Sequence, residues 1–221
     1  MKKSMKWLAP VMMVLLLGMA ACGKQESVNS TSSVTDSDAV EEAVTDGDAG
    51  ADTTAVGGAH HVEITVENYG TIKLELDGDT APITVANFVK LAKDGFYDGL
   101  TFHRIMDGFM IQGGDPNGNG TGGAEQNIKG EFAANGVENH ISHVKGVISM
   151  ARAQDPDSAS SQFFIMVADA DYLDGQYAAF GHVTEGMEIV EQIAKDARPI
   201  DGNGTIPADE QPVITSVVVV D

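Results

Sequence analysis

A change in composition near residue 60 limits the part of this chain that can fold. Residues 23–58 contain no aromatic side chain, and valine is their only large aliphatic residue. After Lys24, every charge in this segment is negative. Such a segment buries too little apolar surface to offset the entropy that it loses on ordering. We therefore predict a disordered, self-repelling tether over residues 22–59 and one folded domain over residues 60–221.

The first 21 residues have the pattern of an export signal. Three lysines precede the apolar run "WLAPVMMVLLLGMAA", which is shorter than the about 20 apolar residues of a spanning helix. The only cysteine, Cys22, follows small residues directly and resembles the lipobox of bacterial lipoproteins, in which the cysteine is acylated and becomes the N-terminus. We predict a lipoprotein signal peptide over residues 1–21 and an extracytoplasmic protein that is lipid-anchored to the bacterial cell membrane through Cys22. A retained membrane helix and a chance free thiol are the alternatives.

The charge of the chain bears on its partners. The formal net charge is −20, which argues against a nucleic-acid partner because phosphates repel an acidic surface. An acidic arm that binds a basic partner is the alternative interpretation of the tether. No pattern in the sequence indicates oligomerisation, so a monomer is the default expectation.

The region after residue 60 alternates between short apolar segments and glycine-rich turns. Two segments have helical spacing, "TVANFVKLAKDG" (84–95) and "GMEIVEQIAKDA" (186–197). The others alternate or are short enough for strands: "HHVEITVENYGTIKLEL" (two strands around "ENYG"), "TFHRI", "GFMIQGG", "KGVISMA", "SQFFIMV", "YAAFGHV" and "PVITSVVVV". This pattern predicts a mainly β fold, a closed eight-stranded antiparallel β-barrel capped by two α-helices.

Several short motifs do not support cofactor or metal chemistry. "GNGTGG" (118–123) matches a dinucleotide-binding pattern, but no helix opens after it. Asp115 begins a calcium-like loop in which Gln126 replaces the required glutamate. His140 and His143 lack further ligands at a suitable spacing, and no G-x-S-x-G motif is present. We expect no metal and no cofactor.

The segment "FHRIMDGFMIQGGD" (102–115) places an arginine, Arg104, within an apolar run. On a two-residue period, Met110 and Gln112 share one face, whereas Phe109 and Ile111 share the other. The segment "SSQFFIMV" likewise puts a glutamine, Gln162, on one face with Phe164. One interpretation is that Arg104 pairs with a carboxylate beside a core, and the other is that these polar groups line a binding site.

These segments together resemble the cyclophilin family of peptidyl-prolyl cis–trans isomerases. The resemblance rests on "FHRIMDGFMIQGGD", "GNGTGG", "GVISMARAQDPDSASSQFFIMV", "YLDGQYAAFG" and "EGMEIVEQI", in family order over residues 61–221. It implies catalysis by Arg104 with Gln112 and Phe109, no cofactor, and proline-containing unfolded or exported proteins as substrates. The substrate-binding residues that it implies are Phe109, Met110, Gln112, Gly120, Ala151, Arg152, Gln162, Phe164, Tyr172, Leu173 and Tyr177.

Three of these positions depart from the commonest pattern of the family. Arg152 stands where asparagine is usual, but that position acts largely through its main chain, so activity is expected to persist. Tyr172 replaces a tryptophan that contacts cyclosporin in the family, so cyclosporin binding is left open. Tyr177 replaces a histidine and changes the expected shape of the pocket.

A second function class fits the same apolar residues. A proline-directed binding module or holdase chaperone with little turnover would also need an apolar pocket. Such a binder has no need of Arg104, whereas an isomerase needs a cation that donates to the prolyl nitrogen in the twisted transition state. A third hypothesis makes the acidic tether the functional part.

Overall fold

The computed structural model describes residues 56–221. The predicted signal peptide, Cys22 and the predicted tether as far as residue 55 lie outside the described residues. Within the described range, no helix is both long enough and apolar enough to cross a membrane.

One eight-stranded antiparallel sheet forms the framework of the described region. Its strands are β1 (Ala59–Val66), β2 (Gly70–Asp77), β3 (Phe102–Met106), β4 (Met110–Gly113), β5 (Val147–Met150), β6 (Phe163–Met166), β7 (Ala179–Glu185) and β8 (Ile214–Val219). Their order across the sheet is β3-β4-β6-β5-β7-β2-β1-β8. The helices are α1 (Pro82–Lys93) and α2 (Met187–Asp196), with single 3-10 turns at Ala133–Asn135 and Asp171–Leu173. The predicted eight strands and two helices are confirmed.

The prediction of a closed barrel is wrong, because the sheet is an open half-barrel with β3 and β8 at its edges. Residues 199–213, which precede β8, lie along β3 and form only isolated bridges with it, such as that between Arg104 and Thr205. Pro207 and Pro212 interrupt this segment, and proline has no N–H to donate to a strand ladder. The gap between the edge strands β3 and β8, which we call the seam, is therefore covered by a loop segment and not by a strand.

The main core lies on the inner face of the sheet. Four isoleucines on neighbouring strands are paired in register and are fully buried: Ile105, Ile111, Ile165 and Ile148. Beside them, Phe163 meets the rings of Phe88, Tyr97 and Phe102 edge-on, at centroid separations of 5.5–6.0 Å. Such edge-to-face contacts stabilise a core beyond the burial of apolar area alone.

A distant carboxylate caps the first turn of α1. Pro82 begins this helix, a position at which proline loses no intrahelical hydrogen bond. The buried Glu131 accepts hydrogen bonds from the N–H groups of Ile83 (3.0 Å) and Thr84 (2.7 Å). These donors have no partner within the helix, so Glu131 satisfies them and complements the helix dipole.

Removal of the Phe163 ring should destabilise the fold strongly. Phe163→Ala leaves a cavity among three aromatic rings, and we expect the free energy of unfolding to fall by about 3–5 kcal/mol. The matched control is Val218→Ala on β8, where the side chain is exposed and a change below about 0.5 kcal/mol is expected. Urea unfolding followed by circular dichroism measures both, and equal losses would contradict this assignment of the core.

Candidate functional site

The strand register creates a row of functional side chains on the outer face of the sheet. Arg104 on β3 pairs with Gln112 on β4, and Gln112 pairs with Phe164 on β6. Phe164 in turn pairs with Ser149 on β5. Because side chains alternate along a strand, this row lies on the face opposite the four core isoleucines.

A cavity of about 490 Å³ opens over this row. All the predicted site residues except Gln162 and Tyr172 line it: Arg104, Phe109, Met110, Gln112, Gly120, Ala151, Arg152, Phe164, Leu173 and Tyr177. Gln162 lines an adjacent cavity of about 340 Å³. Gln112 and Arg152 line both cavities. Tyr172 lies outside both cavities and is 62% exposed, with its ring stacked on Phe109 at 6.2 Å.

Arg104 is half-buried at the wall of the larger cavity and is held by neutral acceptors. Its Nε donates to the carbonyl oxygen of Asn203 (2.7 Å), and its Nη1 donates to the side-chain oxygen of Gln112 (3.0 Å). Among the described residues, the sulfur of Met106 (3.4 Å), a weak acceptor, is the only hydrogen-bond partner of its Nη2. No salt bridge to Arg104 exists within residues 56–221, so pairing with a carboxylate is not the reason for its position.

The charge of Arg104 is only partly compensated. Burial lowers the pKa of its guanidinium below the ordinary value, while the nearby acidic groups Tyr177, Asp201 and Tyr172 raise it. Guanidinium remains protonated in proteins even when it is partly buried. The site therefore holds a cation that has free donor capacity and no ionic partner.

Two glutamines connect Arg104 to the glycine-rich loop. The side-chain nitrogen of Gln112 donates to the side-chain oxygen of Gln162 (2.9 Å). Gln162 then donates to the carbonyl oxygens of Gly120 (3.2 Å) and Gly122 (2.7 Å). The hydrogen-bonded chain fixes the orientation of both carboxamides between the two cavities.

The floor of the larger cavity is apolar. Met110, which is 1% exposed, packs with Phe164 and Leu173 in a second buried cluster, separate from the main core. Tyr177 meets Phe164 edge-on, with ring centroids 5.9 Å apart. Strand alternation placed Phe109 on the face of Ile111, but Phe109 precedes β4 in a turn and lines the cavity instead.

Four residues that line the cavity were not predicted from the sequence: His103, Asn119, Asn203 and Thr205. An irregularity in pairing between Phe102 and Arg104 brings His103 to the cavity, against simple alternation. Asn203 and Thr205 arrive from a turn in which the Asp201 carboxylate accepts their N–H groups at 2.9 and 3.0 Å. The string "DGNGT" is a turn signal, but nothing in it indicates which site the turn will join.

The glycine-rich loop is folded around the carboxylate of Asp115. This buried side chain accepts the N–H groups of Asn117 (2.8 Å), Asn119 (3.0 Å) and Gly120 (2.6 Å). Burial alone would raise the pKa of Asp115, but these backbone donors outweigh it and the pKa lies below its ordinary value. Asp115 thus positions Gly120 at the rim of the cavity.

No cluster of three or more metal-ligating groups is placed to hold a metal ion within residues 56–221.

A buried serine and histidine and a partly exposed aspartate lie behind the cavity floor. His143 Nε2 lies 3.0 Å from Ser149 Oγ, and His143 Nδ1 lies 2.9 Å from Asp174 Oδ1. The His143 ring also stacks on Phe164 at 6.1 Å. Burial lowers the pKa of His143, while Asp174 opposes this shift. Because Ser149 is fully buried, this arrangement has no access to a substrate carbonyl, and we interpret it as support for Phe164.

Comparisons with known proteins show which family this chain is similar to. A family model described as "Cyclophilin type peptidyl-prolyl cis-trans isomerase/CLD" matches residues 61–219. Peptidyl-prolyl cis-trans isomerase B of Bacillus subtilis is 46% identical over 129 residues, which cover 58% of this chain and 87% of the relative. A peptidyl-prolyl cis-trans isomerase of Helicobacter pylori is 48% identical over 128 residues, which cover 57% of this chain and 76% of the relative.

A solved structure extends the agreement to the fold. A cyclophilin-type peptidyl-prolyl cis-trans isomerase of Cryptosporidium parvum, crystallised in the presence of the dipeptide Ala-Pro, matches with a TM-score of 0.62 and 31% identity. The match covers 73% of this chain and 99% of that chain. The chain therefore belongs to the cyclophilin family. Its activity is peptidyl-prolyl cis–trans isomerisation.

The stabilising effect of Asp115 should depend on pH. Because its pKa is lower in the folded than in the unfolded chain, its contribution is present above the unfolded pKa of about 3.9 and is lost as the pH falls through the folded value. Asp115→Asn should reduce the free energy of unfolding by about 1–3 kcal/mol at pH 7, with a smaller difference below pH 4. Urea unfolding between pH 3 and pH 7 measures this difference, with the exposed Asp209→Asn as control. A deficit that stays constant down to pH 3 would refute the role of the charge.

Proposed function

We propose that the larger cavity binds the proline ring of an Xaa-Pro segment and that Arg104 catalyses rotation about the preceding peptide bond. Gln112 and Phe109 assist, the first by binding the substrate backbone and the second by contacting the ring. The observation that carries this proposal is the position of Arg104, whose unpaired guanidinium lies beside an apolar floor.

The chemistry of the reaction explains why a cation is needed there. Rotation about a peptide C–N bond has a barrier of about 18–20 kcal/mol, because resonance gives that bond double-bond character. In the twisted transition state resonance is lost, and the prolyl nitrogen carries a lone pair. A donor that binds this lone pair stabilises the transition state more than either ground-state isomer, and only such a difference accelerates the reaction.

The hydrogen bonds of Arg104 suit this role. Two acceptors, the Asn203 carbonyl and Gln112, hold the plane of the guanidinium. The Nη2 group keeps donor capacity because its only hydrogen-bond acceptor among the described residues is a thioether sulfur. A donor that is already oriented needs little reorganisation when the lone pair forms. No covalent bond is broken, so the reaction needs no nucleophile and no general base.

The other predicted residues are assigned to grip the substrate. Met110, Phe164 and Leu173 form the apolar surface on which the proline ring rests. Gln162, Gly120 and the main chain at Ala151 and Arg152 border the passage between the two cavities, where an extended peptide backbone can lie.

The alternative function, a binding module or holdase with little turnover, would bind proline-containing segments on the same apolar floor of the larger cavity. It does not account for Arg104, because a half-buried cation without an ionic partner costs desolvation and adds nothing to the binding of an apolar ring. The geometry therefore favours turnover.

Arg104→Ala should abolish most of the isomerase activity while leaving the fold intact. By analogy with the loss of one transition-state donor, we expect kcat to fall about 10²–10³-fold with a smaller change in KM. Exchange NMR on an Ala-Pro peptide with the full-length chain in detergent measures the rate, and circular dichroism controls for folding. Arg104→Lys should keep part of the activity, since it keeps a cation. Undiminished turnover in Arg104→Ala would refute the catalytic assignment.

We further propose that the isomerase acts on exported proteins at the outer side of a bacterial membrane, held there by acyl chains on Cys22. The support is the sequence pattern of residues 1–22 and the acidic segment that follows it. The predicted tether runs from Cys22 to the start of β1 at Ala59. As a flexible coil it has an r.m.s. end-to-end distance of roughly 30–35 Å, and a larger one if its charges repel. Unfolded chains with Xaa-Pro bonds that emerge from the membrane are the natural substrates, since uncatalysed isomerisation takes tens to hundreds of seconds.

Cys22→Ala should abolish acylation of the protein without loss of isomerase activity. Membrane fractionation and incorporation of labelled palmitate in a bacterial host measure anchoring. A chain without residues 25–58 is the control, and it should remain anchored and active. Absence of labelled palmitate from the wild type, or labelling that persists in Cys22→Ala, would refute the lipid anchor and favour an uncleaved apolar helix, and loss of the cellular phenotype in the deletion alone would make the tether the functional part.

A further inference from the structure

The two adjoining cavities differ in charge from the rest of the protein. The chain has 33 acidic and 13 basic residues, excluding histidine. Within the described region, however, no aspartate or glutamate lines either cavity, whereas two arginines do. Arg104 belongs to the larger cavity, and Arg152 lines both. The groove is thus a cationic patch on a strongly acidic protein.

The guanidinium of Arg152 is fixed in position by its surroundings. It lies over the rings of Phe132 (5.1 Å to the centroid) and Tyr177 (4.8 Å). Its Nε donates to the carbonyl oxygen of Gln176 (3.0 Å), and its Nη1 donates to that of Ala153 (2.9 Å). Its Nη2 has no hydrogen bond, and the group has no salt bridge, to any residue of the described range.

This arrangement suits recognition of an anion. A guanidinium already held by aromatic rings and carbonyls loses little side-chain entropy when it binds a carboxylate. Hydrogen bonds between ionised groups are about twice as strong as neutral ones. Repulsion from the rest of this acidic protein acts over longer distances and is largely screened beyond about 8 Å at physiological salt. Contact with Arg152 therefore decides the preference within the groove.

We propose that Arg152 makes this isomerase select peptides that carry an acidic side chain two residues before the proline or directly after it. This inference rests on the proposed function, in which the larger cavity holds the proline ring. Consecutive residues of an extended peptide are about 3.5 Å apart, so a neighbour of the proline can reach the wall that the two cavities share. Glutamate or aspartate there pairs with Nη2 of Arg152.

The test compares peptides that differ only in one charge. Blocked peptides Ala-Xaa-Ala-Pro-Ala and Ala-Ala-Pro-Xaa-Ala, with Xaa as Glu, Gln or Lys, are assayed by exchange NMR with the full-length chain in detergent at pH 7. The wild type should favour Glu over Gln in kcat/KM by about two- to fivefold in at least one series, with Lys below Gln. The ratio should shrink as NaCl rises from 0.05 to 0.5 M.

Two variants assign this preference to one residue. Arg152→Gln should bring the Glu-to-Gln ratio close to one, whereas Arg152→Lys should retain part of it because it keeps the charge. The matched control is Arg198→Gln, which removes the same charge at an exposed arginine bonded to carbonyls of its own turn and should leave the wild-type ratio unchanged.

Some outcomes overturn this inference without touching the proposed function. A ratio of one in the wild type in both series, a preference that survives Arg152→Gln, or an equal loss in Arg198→Gln would each refute it while turnover persists. Absence of turnover with every peptide would instead refute the proposed function. The ratio of dissociation constants for the Glu and Gln peptides, measured by calorimetry, would then still decide whether Arg152 selects acidic peptides.

Discussion

The pairing register of β3, β4, β6 and β5 determines both the core and the site. In one row it aligns four isoleucines inside the sheet, and in the next it aligns Arg104, Gln112, Phe164 and Ser149 on the other face. A slip of one residue would exchange the faces, burying the arginine and exposing the isoleucines. Burial of the isoleucines therefore stabilises the register that brings the functional groups together, and catalytic geometry follows from core packing.

Local patterns were sufficient for most of this structure and insufficient where distant segments meet. Apolar alternation and turn glycines predicted the eight strands, and helical spacing predicted α1 and α2, because these signals lie within each segment. The open seam depends on how residues 199–213 meet β3, which no local period encodes. Strand alternation put Phe109 on the wrong face because this residue lies in a turn, whereas the family resemblance placed it in the site. Most predicted site residues came from family resemblance, while Asn203 came only from the structure.

Carboxylates support the site from outside rather than from within. Asp115 folds the loop that carries Gly120, Glu131 caps α1, and Asp201 forms the turn that presents Asn203. Each accepts hydrogen bonds from two or three backbone N–H groups, Glu131 and Asp201 also accept one from a threonine hydroxyl, and none lines the groove. Had one of them reached Arg104, the ion pair would have neutralised the donor that the proposed reaction needs. Negative charge in this acidic domain thus serves loop structure, and the groove is left cationic.

The loop segment that covers the open seam also completes the site. Two backbone hydrogen bonds join this segment to β3: Ile105 donates to Gly204, and Ile206 donates to His103. The carbonyl oxygen of Asn203, which precedes Gly204, accepts the hydrogen bond of Arg104. A local opening of residues 199–213 would thus remove the orienting acceptor while the remaining strands stay paired. The equilibrium between the closed and the open state of this segment then sets the fraction of molecules in which Arg104 is oriented for catalysis. Inactivation on heating would precede global unfolding, and amide hydrogen exchange at Ile105 and Ile206 would follow the loss of turnover more closely than the melting of the sheet.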